Sequence, residues 1–215
     1  MYAMQKNKMQ SESFQYWVKG KMIKITFLLL LLITVIGCES QFNLVLNHSF
    51  EEKLTNWYVR KWGDSAKASI TQKKSKNGKS ALLIDSGGSK QDISVIQSLP
   101  IESGSYYRIK AYTMAVDIPA NTYGASIGIS RSPITSKPIT GTTNWKSILL
   151  YVKTAENQKS MNICLRLGMF GNNSSGKAYF DTVKVTKLDS QPATYYDLTE
   201  ISNTPANNPV TRRTE

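Results

Sequence analysis

Few residues in this chain have side chains that could act as a nucleophile or a general base. The 215 residues include one histidine, His48, and two cysteines, Cys38 and Cys164. Cys164 has no base near it in sequence, and an isolated histidine is more often a surface residue than a general base. The acids are few and lie mostly in turns, which does not favour paired glycosidase carboxylates. A zinc site lacks its ligands altogether, so we predict that the protein is not an enzyme.

Cys38 stands in a pattern typical of lipid modification. Three lysines precede an uncharged apolar run at 25–36, which is shorter than the roughly 20 residues that a membrane span needs. Gly37 then comes directly before Cys38. This order resembles the signal of a bacterial lipoprotein, which is cut before the cysteine and lipidated on it. An ordinary secretory signal with an incidental cysteine is the alternative.

We therefore expect residues 1–38 to be a lipoprotein signal peptide with Cys38 as the lipidation site. Met22 would give a leader of ordinary length, which favours it as the true start. The lipid anchors the protein to a membrane of the bacterial cell envelope. Glu39 is not the aspartate that retains lipoproteins in the inner membrane, and this favours the outer membrane.

The charge balance is basic. Without residues 1–38, which hold five lysines and one glutamate, 22 basic and 14 acidic residues remain. This excess is compatible with an anionic glycan or another acidic partner, and also with a role in solubility alone. Lys73, Lys74, Lys76 and Lys79 form a lysine-rich hairpin without interleaved aromatic residues, which is a weak nucleic-acid footprint. We therefore predict no nucleic-acid partner.

From residue 41 onward, short apolar segments alternate with polar turns, and no helical period extends beyond two turns. Turns such as Asn77-Gly78 and Ser103-Gly104 supply residues that tolerate positive φ. The pattern predicts an all-β sandwich over 39–188 and a disordered polar tail at 189–215. The expected strands are near 43–46, 57–62, 67–72, 80–85, 93–99, 106–116, 123–130, 146–153, 161–168 and 176–187.

Strand alternation predicts which side chains face the core. Leu44, Leu46 and Phe50 share the inward parity of the opening strand. Residues 107, 109 and 111, residues 148 and 150, and residues 163 and 165 are likewise expected to point inward. The residues predicted to point away from the core include Arg108, Tyr112, Tyr151 and Arg166. A surface that only keeps the protein soluble does not need aromatic residues beside arginines, so this combination favours a binding role.

Five short motifs, in order, resemble the carbohydrate-binding modules of families four, nine and twenty-two, which are galactose-binding-domain-like jelly rolls. The resemblance covers 42–188. It is carried by Asn43-Leu44-Val45-Leu46-Asn47 with Ser49-Phe50-Glu51 and Trp57, by Asn77-Gly78-Lys79-Ser80-Ala81-Leu82, by Gly104 with Tyr107, by Thr143 with Trp145, and by Ala178-Tyr179-Phe180-Asp181 with Val183.

The resemblance implies a structural Ca²⁺ where the first and last strands meet, held by Glu51 and Asp181 and by backbone carbonyls. Such a mixture of hard oxygen ligands suits Ca²⁺. Thr182 departs from the pattern, because an acid or amide often follows the first Asp. The alternative is that Glu51 and Asp181 cap strands or pair with lysines.

The resemblance also implies a groove in which aromatic rings stack on sugar rings. By parity we expect Tyr112, Tyr151 and Arg166 to bind the ligand, with Arg108 as an auxiliary and Trp62 at a groove end. The leading hypothesis is a glycan-binding module that recognises a polysaccharide or oligosaccharide. The alternative is a structural or assembly lipoprotein that contacts envelope proteins through the same fold.

Overall fold

The computed structural model describes residues 42–169, 171–199 and 212–214. The predicted signal peptide, with Met22 and Cys38, lies outside these residues. No helix among the described residues has the length and apolarity to cross a membrane. The strands are β1 (Tyr58–Trp62), β2 (Lys67–Thr71), β3 (Ala81–Asp85), β4 (Asp92–Pro100), β5 (Tyr106–Val116), β6 (Ala125–Ile129), β7 (Lys146–Lys153), β8 (Ser160–Leu167), β9 (Lys177–Leu188), β10 (Thr194–Asp197) and β11 (Arg212–Thr214).

Two sheets form the fold. The small sheet has the order β1-β4-β8-β6, and the large sheet has the order β11-β10-β7-β5-β9-β3-β2. Neighbours run antiparallel except β10 and β7, which are parallel. This arrangement confirms the predicted all-β, two-sheet sandwich of the jelly-roll type.

The core lies between the two sheets and is built by strand alternation. Ile109 and Ala111 of β5 and Ile163 and Leu165 of β8 are at most 1% exposed, as predicted. Burial of such apolar side chains contributes roughly 25 cal/mol per Å² removed from water. The side chains between these residues therefore point to the outer faces of the sandwich, where any binding site on the sheets must lie.

The opening segment is irregular where a strand was expected at 43–46. The Asn43 side chain explains the difference, because it takes over the pairing with β9. Its Oδ1 accepts a hydrogen bond from the backbone N–H of Val185 at 2.9 Å, and its Nδ2 donates to the carbonyl of Val183 at 2.9 Å. Leu44 adds one backbone bond, donated to the carbonyl of Val185 at 3.0 Å.

The inward residues of this segment also differ from the expected parity. Val45 is 3% exposed, whereas Leu46 is 59% exposed. Positive φ angles of 46° at Asn47 and 61° at Phe50 interrupt the alternation. Phe50 is nevertheless fully buried, and its ring centroid lies 5.4 Å from that of Trp57. The inward prediction was right for Phe50 and wrong for Leu46.

The predicted disordered tail begins too early. Residues 194–197 form β10, in which Tyr196 and Asp197 pair with Val152 and Lys153 of β7. The side chains of Tyr195 and Leu198 are 7% and 5% exposed. The Ser, Thr and Pro content around these residues hid Leu198, which joins the core, and Tyr195, whose ring packs edge-on against that of Tyr106 at 5.0 Å. The folded domain therefore continues past 188.

A segment after β6 covers part of that strand. Residues 135 and 139 form isolated bridges to Gly128 and Ala125. A Cβ atom added to Gly124 or Gly128 would lie 2.1 Å from the carbonyl oxygen of Ile139 or 2.7 Å from that of Ile134. The glycines in and next to β6 therefore leave room for the backbone of 134–139, which covers this strand.

Candidate functional site

The five predicted ligand-binding residues do not lie together. Arg108 and Tyr112 of β5 lie on the outer face of the large sheet, with Tyr151 of β7 directly opposite Arg108. Trp62 of β1 and Arg166 of β8 lie on the outer face of the small sheet, on strands that both pair with β4. A single groove cannot use both sets, because the core separates the two faces.

Arg166 is on the predicted outer side of β8, but it is not presented to solvent. Its side chain is 0% exposed, and its Nη2 donates to Oδ1 of Asp92 at 3.2 Å. Its Nε donates to the carbonyl of Gly168 at 3.0 Å. A buried guanidinium needs such a partner, because the cost of removing its charge from water must be offset. The prediction that Arg166 is a surface contact is corrected, and its role here is to hold β4 and β8 together.

The edge strand β1 carries an arginine between two aromatic residues on one face. These three residues are Tyr58, Arg60 and Trp62. They point outward, because they alternate with Val59, whose register partner Val95 is buried in the core. Tyr58 and Trp62 are both 51% exposed. The guanidinium carbon of Arg60 lies 4.7 Å from the centroid of the Trp62 ring. The Cα atoms of Tyr58 and Trp62, four residues apart on an extended strand, are separated by about 13 Å.

A row of polar side chains continues from Arg60 across the small sheet. Arg60 is the register partner of Ser94, which pairs with Arg166, which in turn pairs with Ser126 of β6. Ser94 and Ser126 are 0% exposed. We call the surface formed by Tyr58, Arg60, Trp62, Ser94, Ser126 and Arg166 the small-sheet face.

Several polar atoms of this face are buried and make no hydrogen bond. They are Nε and Nη2 of Arg60 and the hydroxyl oxygens of Ser94 and Ser126. A buried polar atom without a partner costs about 1–3 kcal/mol, so each such atom needs an explanation. The four atoms of Arg60, Ser94 and Ser126 lie on the same side of the small sheet as the exposed rings of Tyr58 and Trp62.

Cys164 lies on the same side of β8, one register row away, between Ile96 and Gly128. Burial raises the pKa of its thiol, and the positive charges of Arg166 and Arg60 oppose this only in part. A thiol of raised pKa is a poor nucleophile. His48 is exposed, and its carbonyl accepts a hydrogen bond from Val183 at 2.9 Å. Neither residue forms a nucleophile–base pair.

Glu51 and Asp181 both bind the turn between β2 and β3. Oδ2 of Asp181 accepts from the backbone N–H groups of Lys76 at 2.7 Å and Asn77 at 2.9 Å. Oδ1 of Asp181 accepts from the backbone N–H and hydroxyl of Thr182. Oε1 of Glu51 accepts from the backbone N–H groups of residues 79 and 80 at 2.8 and 3.0 Å.

These hydrogen bonds occupy carboxylate oxygens of Asp181 and Glu51 that a cation would need as ligands. Asp181 is 0% exposed and accepts four hydrogen bonds. Bonds from residues 79 and 80 lower the pKa of Glu51, so it is ionised at neutral pH. Among the described residues, no three His, Cys, Asp or Glu side chains converge as metal ligands. Backbone amides thus compete with a cation for the same carboxylate oxygens, and the Ca²⁺ site stays a prediction.

The melting temperature tests this reading of Glu51 and Asp181. Because amides already satisfy both carboxylates, we expect unfolding temperatures in chelator and in excess Ca²⁺ to agree within about 2 °C, less than about 1 kcal/mol for a domain of this size. Mg²⁺ in place of Ca²⁺ serves as the control for ionic strength. A rise of several degrees that is specific to Ca²⁺ would show that the cation expected from the sequence binds after all.

Sequence reasoning missed Tyr58 and Arg60. A signal for them was present, since Trp57 is a core residue and strand alternation then makes residues 58, 60 and 62 point outward. The unpaired atoms of Ser94 and Ser126 had no such signal, because pairing in space cannot be deduced from one strand.

Comparisons with known proteins agree with this fold. A family described as "Carbohydrate binding domain" matches residues 42–176. Curated proteins give no significant match. Three solved structures are similar: the enzymatically active domain of a bacteriophage CBA120 tailspike protein (14% identity, TM-score 0.53, 68% of this chain), a Stig cyclase from Fischerella sp. TAU (11%, 0.51, 69%) and a family 16 carbohydrate-binding module (14%, 0.48, 67%).

The matched region makes up very different fractions of the three similar structures. The match spans 21% of the tailspike chain, 98% of the cyclase and 99% of the family 16 module. At identities this low, likeness to the first two structures, with TM-scores above 0.5, supports the β-sandwich fold alone.

Proposed function

Because the chain belongs to the family of carbohydrate-binding domains, we propose that it is a non-catalytic module that binds a polysaccharide or oligosaccharide on its small-sheet face. The family match supports a carbohydrate partner. The choice of face comes from the arrangement of side chains on the two sheets.

One observation carries the proposal: half-exposed aromatic rings stand beside buried polar atoms that lack partners. Tyr58 and Trp62 offer ring faces to the apolar C–H surfaces of sugars, with each good contact contributing on the order of 1 kcal/mol. Arg60 lies between them with two unpaired donors. A sugar presents the same combination of apolar ring face and hydroxyl rim, so both kinds of protein group find a partner at once.

The charges on this face bear on which glycan binds. Asp92 is engaged by Arg166, whereas Arg60 has no carboxylate within ion-pair distance among the described residues. A charge-assisted hydrogen bond to an acidic sugar is stronger than one to a hydroxyl. We therefore include acidic glycans in the proposed ligand class.

The location of the module is part of the proposal. The Gly37-Cys38 pattern supports a lipid anchor on Cys38 and display on the bacterial cell envelope, with the outer membrane favoured by Glu39. Mass spectrometry of the protein isolated from cells tests this, because lipidation adds the mass of acyl chains to a chain that begins at Cys38.

Affinity electrophoresis against a polysaccharide panel tests the binding function. The panel holds neutral polymers (xylan, mannan, β-glucan, galactan) and acidic ones (polygalacturonate, alginate). We expect retardation by at least one polymer and none by a matched gel without polysaccharide. If no polymer retards the protein, and crosslinking in cells retrieves an envelope protein without glycan, the proposal fails and the assembly-lipoprotein hypothesis takes its place.

A further inference from the structure

The outer face of the large sheet is rich in lysine. Lys110 of β5 is the register partner of Lys184 of β9. The turn between β2 and β3 folds over the same face, where Lys76 lies 5.1 Å from the ring centroid of Tyr112 and Lys74 lies 5.3 Å from that of Tyr179. We call the surface formed by Lys74, Lys76, Lys110, Lys184, Tyr112 and Leu149 the basic face.

The turn that carries two of these lysines is held firmly. The buried carboxylate of Asp181 accepts the amides of Lys76 and Asn77, and Glu51 accepts the amides of Lys79 and Ser80. Cation–π contacts then restrict the ammonium groups themselves. The two lysines of the turn are thus fixed over the sheet.

The arrangement carries an electrostatic cost. Like charges directly opposite each other on neighbouring strands are destabilising, and Lys110 faces Lys184. None of the four lysines has a carboxylate within ion-pair distance among the described residues, whereas Lys177 pairs with Asp85 at 3.3 Å. Unrelieved repulsion at the centre of a sheet indicates an anionic partner outside the chain.

The shape of the basic face indicates what kind of anion binds. Leu149, next to Lys110 in the register, is 45% exposed, and Tyr112 lies half-buried between Lys76 and Lys110. Apolar and aromatic side chains mixed with lysines are typical of surfaces that lie on anionic membranes.

The start of the described chain points to the same partner. Only residues 39–41 separate Cys38 from Phe42, and Leu44 donates to Val185, the residue after Lys184. Four extended residues reach at most about 14 Å. A lipid on Cys38 would therefore hold the opening segment, and with it the neighbouring part of β9, close to a bilayer.

We propose that the basic face binds the anionic lipid headgroups of the membrane in which the protein is anchored. This rests on the proposed envelope display. Since the small-sheet face lies on the opposite side of the sandwich, such binding directs Tyr58, Arg60 and Trp62 away from the bilayer.

Lysine labelling on vesicles tests the proposal without any glycan. The lipidated chain is reconstituted in phosphatidylcholine vesicles with or without phosphatidylglycerol, and a membrane-impermeant amine reagent is read out by peptide mass spectrometry. We expect labelling of Lys74, Lys76, Lys110 and Lys184 to slow several-fold only with phosphatidylglycerol, and high salt to abolish the difference. Lys61 and Lys137, which are exposed outside the basic face, are internal controls.

A charge-matched pair of variants sharpens the test. One lysine near an anionic surface strengthens binding about fivefold, so Lys110→Gln with Lys184→Gln should weaken the contact with the headgroups on the order of 25-fold and abolish the several-fold protection of Lys74 and Lys76. Lys61→Gln with Lys137→Gln removes the same charge and should leave the protection intact.

Two results would overturn the membrane proposal. One is labelling that is the same on neutral and anionic vesicles. The other is protection by soluble polygalacturonate with none from vesicles, which would make the partner of the basic face an acidic polysaccharide. Glycan binding by the small-sheet face is measured separately by electrophoresis, so either proposal can fail alone.

Discussion

Replacing Asp92 by alanine is expected to destabilise the domain by about 3–5 kcal/mol, the usual result of removing one partner from a buried ion pair. Arg166 is 0% exposed and its Nη2 lies 3.2 Å from Oδ1 of Asp92. Without this carboxylate, the guanidinium retains its charge in a buried position. Urea denaturation followed by tryptophan fluorescence measures the loss.

Two further variants show whether the buried charge is the cause. Asp85→Ala removes the partner of Lys177 from a pair that is 31–47% exposed, where we expect a loss below about 1 kcal/mol. Asp92→Leu combined with Arg166→Met removes both charges and should recover part of the stability lost in Asp92→Ala. Equal losses in Asp85→Ala and Asp92→Ala would contradict the account of Arg166 as a buried positioning residue.

Replacing Arg60 by methionine is expected to weaken glycan binding about 10- to 100-fold without lowering stability. The loss corresponds to the roughly 1.5–3 kcal/mol of a hydrogen bond to a charged group. Stability should stay level or rise, because the substitution keeps the aliphatic stem against Trp62 and removes two buried donors that have no partner in the free protein.

The opposite signs of these two effects make the Arg60 prediction informative. A residue that serves only the fold would lose stability and binding together. Lys61→Met, the next position on β1 and on its other side, is the matched control and should leave binding unchanged. Unchanged binding in Arg60→Met, or a fall in binding that tracks a fall in stability, would remove Arg60 from the site.

The fold was predictable because local patterns decide it. Alternation on β5 and β8 identifies inward residues such as Ile109 and Leu165, and both are buried. The opening segment escaped the same rule because the Asn43 side chain, and not a second strand, provides the pairing with Val183 and Val185. Tyr195 and Leu198 escaped it because four residues of strand in a polar context give too short a pattern.

The site was only partly predictable because it depends on partners distant in the chain. Parity placed Arg166 outward, yet its burial depends on Asp92, which is 74 residues away. Parity likewise placed Tyr112 and Trp62 on outer faces, but sequence does not tell which of the two sheets each strand joins. The Ca²⁺ expectation rested on two acids whose oxygens bind amides of residues 76–80, a contact set by the fold of a turn.

Isothermal titration with the polysaccharide that binds in electrophoresis tests the central claim most directly, because the two faces can be disabled separately. Tyr58→Ala with Trp62→Ala removes the aromatic rings of the small-sheet face, and Tyr112→Ala with Tyr151→Ala removes the two rings of the large sheet that the sequence predicted as ligand-binding. We predict that the first pair raises Kd about 30-fold, from two contacts of roughly 1 kcal/mol each, and that the second pair leaves Kd unchanged. The reverse result, in which only the variant with both Tyr112→Ala and Tyr151→Ala loses binding, would contradict the claim and show that the binding site lies on the large sheet.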